Sequence, residues 1–254
     1  MSKHEQEILS TVNLRGTVTV TELAQILDVS DQTVRRIVIP MVERGDLKKV
    51  HGALVSTQNL MDPPFLARMN KNRTAKVAIA NCIADLINDG ASLAIDTGST
   101  SGFVAQALRR KKNLTIVTNS AFTASTLSMV EGNRVFMAGT QLRTHDGAAF
   151  DRAAFEVIAR SSVDYAILSS SQVHPKLGFL AYDQCEVDIS RAMMEIAGHT
   201  IMAVDGSKFI SDGVKPSLRL PALQSEDLIV CDQQPGTVFS DLLSGSKLVI
   251  AKAD

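Results

Sequence analysis

The chain has 254 residues, 45 % of them hydrophobic and 21 % charged, with a formal net charge of -1. That balance excludes a disordered chain. Near-neutrality offers no global attraction to nucleic acid, so a DNA-binding surface has to come from local placement of charge. No stretch approaches the roughly 18 apolar residues of a membrane span, and the opening MSKHEQEIL lacks the order of a secretory leader. Three widely spaced cysteines (Cys82, Cys185, Cys231) suit free thiols in a reducing cytoplasm, and with no CxxC pair or HExxH run, neither a metal nor a cofactor is expected.

Residues 1–56 read as short helical segments followed by a small ribbon. Thr19-Val20-Thr21-Glu22 has the form of a capping box and opens the apolar-periodic run Leu23, Ile26, Leu27. After the turn Asp28-Val29, Ser30 is placed to cap a second helix beginning at Asp31. Two helices joined by a tight turn form a helix-turn-helix, whose second helix presents its N-terminal residues to the major groove. Gln32 can pair with adenine, and Arg35 and Arg36 with guanine or phosphate; Ser30 and Thr33 complete that turn. Beyond Gly45, LKKVHGALV predicts two short strands around His51-Gly52, a wing bringing Lys48 and Lys49 near the DNA backbone. Pro40 falls inside the expected recognition helix. Because proline removes one amide bond and clashes with the preceding turn, a kink or an early end near Ile39 is expected.

The order of these features resembles the N-terminal domain of DeoR-type regulators. Ser30, Thr33, Val34, Arg35 and Arg36, followed by Val50-His51-Gly52-Ala53, match that family's recognition-helix core and wing turn. The resemblance, with the helix and wing placement above, makes Ser30, Gln32, Thr33, Arg35, Arg36, Lys48, Lys49, His51 and Gly52 the expected DNA-binding set. Ile37 and Val38 stand where an acidic residue and a leucine are usual, and the wing has one glycine where two are usual.

Residues 57–75 are polar, contain Pro63-Pro64, and read as a linker between a reader at 1–56 and a second domain at 76–254. From there seven apolar runs alternate with helical patterns: 93–95, 114–118, 134–139, 165–169, 200–205, 228–232 and 247–251. Continuous apolar strands alternating with helices predict an α/β domain, a mostly parallel sheet covered on both faces. Gly90 and Gly198 are placed to stop the helices that precede them.

Three polar loops each follow a strand: Asp96-Thr97-Gly98-Ser99-Thr100, Thr118-Asn119-Ser120 and Asp205-Gly206-Ser207-Lys208. In a parallel sheet all strand C-termini share one edge, where ligands bind, so these loops are expected to converge on one crevice. Such residues also cap helices in ordinary structural roles; three loops on one edge, with Lys208, favour a polyol- or phosphate-binding site. Gly139 closes a further strand on that edge, and Arg143 follows shortly after it.

The DeoR resemblance extends over nearly all of residues 76–254. It implies a domain like ribose-5-phosphate isomerase A that senses a phosphorylated sugar, with Asp96, Gly98, Ser99, Thr100, Thr118, Asn119, Ser120, Gly139, Arg143, Glu186, Asp205 and Lys208 at the effector site. The chain departs from that pattern at Gly139-Thr140, at Ser169-Ser170-Ser171, and at Ser190, where a lysine is common. Losing a cation points to a less charged or differently placed effector.

Several conspicuous residues carry less. His145-Asp146 reads as a polar loop, His174 and His199 as solvated, Arg109–Lys112 as a helix terminus, Cys231 as core and Cys185 as a plain thiol. The leading function is a homo-oligomeric, cytoplasmic transcription regulator of carbohydrate metabolism, read as a repressor with an activator left open, whose binding to double-stranded operator DNA responds to a sugar, polyol or sugar phosphate. The alternative is a sugar-phosphate isomerase with a DNA-targeting domain. Glu186, Asp205 and Lys208 would then move the proton and stabilise the enediolate.

Overall fold

The structure is a computed structural model that describes residues 2–15, 17–50, 53–56, 65–212 and 218–252. The chain divides into two compact units, Met1–Arg68 and Met69–Asp254.

The first unit runs α1 (Lys3–Arg15), β1 (Thr17–Thr19), α2 (Val20–Leu27), α3 (Asp31–Glu43), β2 (Leu47–Val50) and β3 (Ala53–Ser56). The strands form an antiparallel sheet in the order β1-β3-β2. Its core is Ile8 and Val12 from α1, Leu23 and Ala24 from α2, Val34, Val38 and Met41 from α3, and Val18, Leu47 and Leu54 from the strands. The expected capping box is present: the Thr19 hydroxyl accepts from the Glu22 amide at 3.2 Å, and the Glu22 carboxylate accepts from the Thr19 amide at 2.7 Å.

Of the two outcomes expected at Pro40, a kink or an early end, the early end does not occur. α3 continues to Glu43 through the proline. Val34, Val38 and Met41 anchor one side of the helix in the core, whereas Arg36 and Pro40 lie on its exposed side, where water can satisfy the Arg36 carbonyl. The Pro40 carbonyl accepts from the Arg44 amide at 3.0 Å, so the last turn stays closed.

Of the stretch expected as a linker, residues 57–64 lie outside the described residues. From Phe65 the chain is helical again, in α4 (Phe65–Asn70) and then α5 (Arg73–Leu86). The second unit continues with β4 (Ser92–Ile95), α6 (Ser99–Leu108), β5 (Thr115–Thr118), α7 (Ala121–Ser128), β6 (Arg134–Met137), β7 (Leu142–Arg143) and β8 (Ala148–Ala149). There follow α8 (Arg152–Ala159), β9 (Val163–Ser169), β10 (Gln172–His174), β11 (Gly178–Ala181), α9 (Gln184–Glu195) and β12 (Ala197–Ala203). The described chain ends with β13 (Leu218–Arg219), β14 (Leu228–Cys231), α10 (Ser240–Leu243) and β15 (Lys247–Ile250).

All seven expected strands join one parallel sheet in the order β15-β14-β12-β9-β4-β5-β6. Its alternation divides the core in two. Leu93 and Ile95 of β4 pack with α5 and α6 on one face, whereas Ala94 packs with α8 and α9 on the other. From β4 the chain moves outward to β5 and β6, then crosses back to β9 and proceeds the other way. The order therefore reverses between β4 and β9, and a parallel sheet opens a crevice at the C-terminal edge of such a point.

Two glycine expectations are corrected. α5 ends at Leu86, ahead of Gly90, because Ile87 turns extended to bury its side chain completely. Gly198 lies inside β12, where a Cβ would come within 3.3 Å of the Asp164 carbonyl; the preceding helix ends at Glu195. That glycine serves close strand packing, not helix termination.

Candidate functional site

In the first unit, Asp28 adopts a left-handed conformation that ends α2. Ser30 then caps α3, its hydroxyl accepting from the Thr33 amide at 3.2 Å and lying 2.9 Å from the Thr33 hydroxyl. Asp31 is tied to Thr21 across the turn at 3.0 Å. These three residues therefore set the start and angle of α3. Gln32, Arg35 and Arg36 remain exposed on its outer side, and Lys48 and Lys49 are exposed on β2. His51 and Gly52 lie outside the described residues. Arg44 is paired with Glu5 at 2.7 Å and Asp46 at 3.0 Å. The Ser2 amide and Arg44 hold the Glu5 carboxyl down at about 2, so this arginine braces α1 against α3.

At the reversal point of the large sheet, Asp96 is buried. One carboxylate oxygen accepts from the Ser169 amide at 2.7 Å and hydroxyl at 3.1 Å, and the other from the Ser101 hydroxyl. Burial pushes its pKa up; the Ser101 and Ser169 hydrogen bonds oppose the rise, and the charge of Glu186 adds to it. Gly98 opens α6 where a Cβ would collide with the Ser169 side chain. Ser99 and Thr100 are buried in the first turn of that helix.

The neighbouring loop is joined directly. The Thr118 hydroxyl donates to the Ile95 carbonyl at 2.6 Å and accepts from the Ser120 amide at 3.1 Å. Asn119 donates to the Ala149 carbonyl at 3.0 Å, while its Oδ1 is buried with no hydrogen-bond partner among the described residues. Ser120 caps α7. Gly139 has φ +104°, and a Cβ there would strike Ala149. Arg143 lies beside this group, but its charge is already matched: it pairs with Asp146 at 2.5 Å, Asp183 at 2.7 Å and Glu186 at 2.9 Å. Burial opposes its charge, yet the Asp146 and Glu186 carboxylates hold its pKa above the ordinary arginine value. Its guanidinium also lies 4.4 Å from the centre of the Phe150 ring.

The third loop departs from expectation. Asp205 is on the same sheet edge, but β9 separates β12 from β4, an offset of about 10 Å at the usual strand spacing. Asp205 Oδ1 accepts from Asn72 at 3.0 Å and from the Ser207 amide and hydroxyl at 3.2 and 2.5 Å, while its buried Oδ2 has no hydrogen-bond partner among the described residues. Asp232, closing β14, accepts from the Gly206 amide at 2.6 Å. A cleft of about 490 Å³ opens here, lined by Asn72, Arg73, Thr74, Asp205, Ser207 and Asp232 among others. None of the residues from the Asp96 and Thr118 loops lines it. Lys208 is half-buried in the turn that follows, its amide donating to the Asp205 carbonyl at 2.9 Å.

The expected single crevice is therefore two groups on one edge. Asp96 through Thr100, Thr118 through Ser120, Gly139, Arg143 and Glu186 are linked around the reversal point; Asp205 faces the start of α5. Asn72, Asp183, Ser101 and Asp232 were not expected at the site, and Ser169 stood out only as a departure from the family pattern. Asp232 carried a usable signal: like Asp96 and Asp205, it closes an apolar strand. Asp146, expected in a polar loop, is buried against Arg143, and His174, expected to be solvated, is partly buried, its Nδ1 accepting from the Lys176 and Leu177 amides at 3.2 Å each. Among the described residues no cluster of three or more metal-ligating side chains occurs, and no helix is long and apolar enough to cross a membrane.

A capped helix pair with a basic hairpin, followed by a parallel sheet with a buried polar edge, defines a DNA-binding regulator carrying its own ligand sensor. The chain belongs to the DeoR family: the profile of the DeoR-like helix-turn-helix domain matches residues 5–59, and that of the DeoR C terminal sensor domain residues 71–233. It is 32 % identical over 237 residues to the glycerol-3-phosphate regulon repressor of Escherichia coli (strain K12), covering 93 % of each chain. To the protein of the same name from Haemophilus influenzae it is 34 % identical over 241 residues, 95 % of this chain and 93 % of that one. The L-fucose operon activator of Haemophilus influenzae is 28 % identical over 242 residues, 95 % of this chain and 92 % of that one. These full-length relatives are regulators, which sets aside the isomerase alternative. The ribose 5-phosphate isomerase A of Neisseria gonorrhoeae aligns with 54 % of this chain and 53 % of its own at 19 % identity and a TM-score of 0.40, too distant to bear on chemistry.

Proposed function

We propose that the chain represses genes of carbohydrate metabolism and that a hydroxyl-rich effector at the sheet edge modulates its grip on the operator. The observation that carries this reading is that two buried acceptors, Asn119 Oδ1 and Asp205 Oδ2, have no hydrogen-bond partner among the described residues. A buried acceptor left unpaired costs about 1–3 kcal/mol, and the hydroxyls of a sugar or polyol are donors that relieve that cost. Arg143 is matched by three carboxylates, so the end near Glu186 suits neutral hydroxyls. The cleft at the start of α5 is lined by Asp205 and Asp232 as well as by Arg73, so hydroxyl donors suit that end too. Repression is favoured by the names of the two 32–34 % relatives, which are repressors of a glycerol-phosphate regulon.

In this reading Gln32, Arg35 and Arg36 contact base edges and phosphates, Ser30 and Thr33 fix the helix start, and Lys48, Lys49, His51 and Gly52 form the wing. Asp96, Gly98, Ser99, Thr100, Thr118, Asn119, Ser120, Gly139, Arg143, Glu186, Asp205 and Lys208 form the effector edge. The protein acts as a cytoplasmic homo-oligomer on paired half-sites. A thermal-shift screen of sugars, polyols and their phosphates tests the sensor, since a ligand of the folded state raises its melting point by mass action. The expected result is a shift for at least one hydroxyl-rich compound that disappears in Asn119→Ala and Asp205→Ala. Shifts that survive both substitutions would place the effector elsewhere.

A further inference from the structure

We propose that Ile39 reads a thymine methyl group in the operator. The inference rests on the reading that α3 enters the major groove. At about 100° per residue, Ile39 projects within about 20° of Gln32 and between Arg35 and Arg36. It thus occupies the middle of the outer face, opposite the buried Val34, Val38 and Met41. It is 58 % exposed and takes no part in the core cluster, although its neighbours Ile37 and Val42 pack against that core.

Packing in the core does not hold the residue in place, and what sets it apart from the other exposed hydrophobics is its position on the face that carries Gln32, Arg35 and Arg36. It buries little, and β-branched side chains are mediocre helix formers. An isoleucine flanked by two exposed arginines suits a surface that is polyanionic and locally apolar. The DNA major groove is such a surface, because thymine alone presents a methyl group among its hydrogen-bonding edges. The stiffness of Ile39 adds to the fit: one χ1 rotamer dominates for isoleucine in a helix, so docking it costs little side-chain entropy.

The test uses the full chain and duplexes selected by it from a randomised library. Each thymine of the selected site is then replaced by uracil, which deletes the methyl group and leaves base pairing unchanged. At one position in each half-site the wild-type protein is expected to lose roughly fourfold in affinity, the equivalent of one buried methyl. Ile39→Ala is expected to bind thymine and uracil duplexes equally while keeping the wild-type melting temperature, because the side chain is exposed. Indifference of the wild type to every uracil substitution, or equal discrimination by Ile39→Ala, overturns the proposal. Arg35→Ala and Arg36→Ala separate the two levels. If both arginine variants bind normally, the placement of α3 fails and Ile39 with it. If they bind poorly while uracil has no effect, the assignment of Ile39 alone fails.

Discussion

Asp96 shows how a single residue can be tuned by its surroundings. Its folded pKa is raised by burial and by Glu186, so the folded state holds its proton more tightly than the unfolded chain. Stability from this group therefore falls as pH rises from the unfolded value, near 3.8, through the raised folded value, and the full penalty persists above that. Asp96→Asn removes the titration but also one of the two oxygens that accept from Ser101 and Ser169, a cost that does not vary with pH. The difference in melting temperature should therefore move in favour of the variant as the pH rises through that window. A constant difference would mean that Asp96 is not the buried titrating group. Asp151 has the opposite sign: amides of Thr140 and Gln141 hold its carboxyl at about 2, so its contribution is present above the unfolded value and lost as the pH falls toward 2. In the reader, Arg35→Ala or Arg36→Ala should cost ~1–3 kcal/mol of operator binding wherever the arginine contacts a base. Lys48→Ala should weaken all sequences alike and lower the salt slope by about 1. Binding titrations at several salt concentrations distinguish the two behaviours.

At the level of elements, α3 is continuous although it contains a proline, so its stability is borrowed from the core face. Pro40→Ala restores an amide able to reach the Arg36 carbonyl. The gain expected is about 1–3 kcal/mol, reduced by ~0.4–1 kcal/mol because proline also stiffens the unfolded chain. Urea denaturation of the reader checks this; a lower midpoint in the variant would mean the proline is accommodated by a geometry that alanine cannot share. The same helix shows what was legible in the sequence. The Thr19–Glu22 box, the Ser30 cap and the seven strand cores follow from local rules, and each appears where those rules put it. The early end at Ile39 was misread because a local penalty was weighed without the buried face that outweighs it. Gly198 was misread as a helix stop for the same reason, since its purpose is set by Asp164 on the adjacent strand. The edge loops were legible as polar strand ends, but their partners were not. Asn72 reaches Asp205 across 133 residues, and Asp183 reaches Arg143 across 40. No spacing rule connects such pairs.

For the whole molecule, the two units have separate cores, and regulation requires that a ligand in one change the affinity of the other. An effector can do so only by binding the DNA-competent and incompetent states unequally. The coupling is then reciprocal: if effector weakens operator binding by some factor, operator must weaken effector binding by the same factor, usually about 5–150-fold. The near-neutral chain makes this measurable, because long-range attraction to DNA is weak and the contacts that set affinity are local. Calorimetric titration of the effector into free protein and into the protein–operator complex should give a ratio of dissociation constants equal to the gel-shift ratio measured with and without effector. Asn119→Ala should lower effector affinity in both titrations while leaving operator affinity without effector unchanged, since the substitution lies in the sensor. A compound that binds free and DNA-bound protein with equal affinity occupies the sheet edge without regulating anything, however tightly it binds.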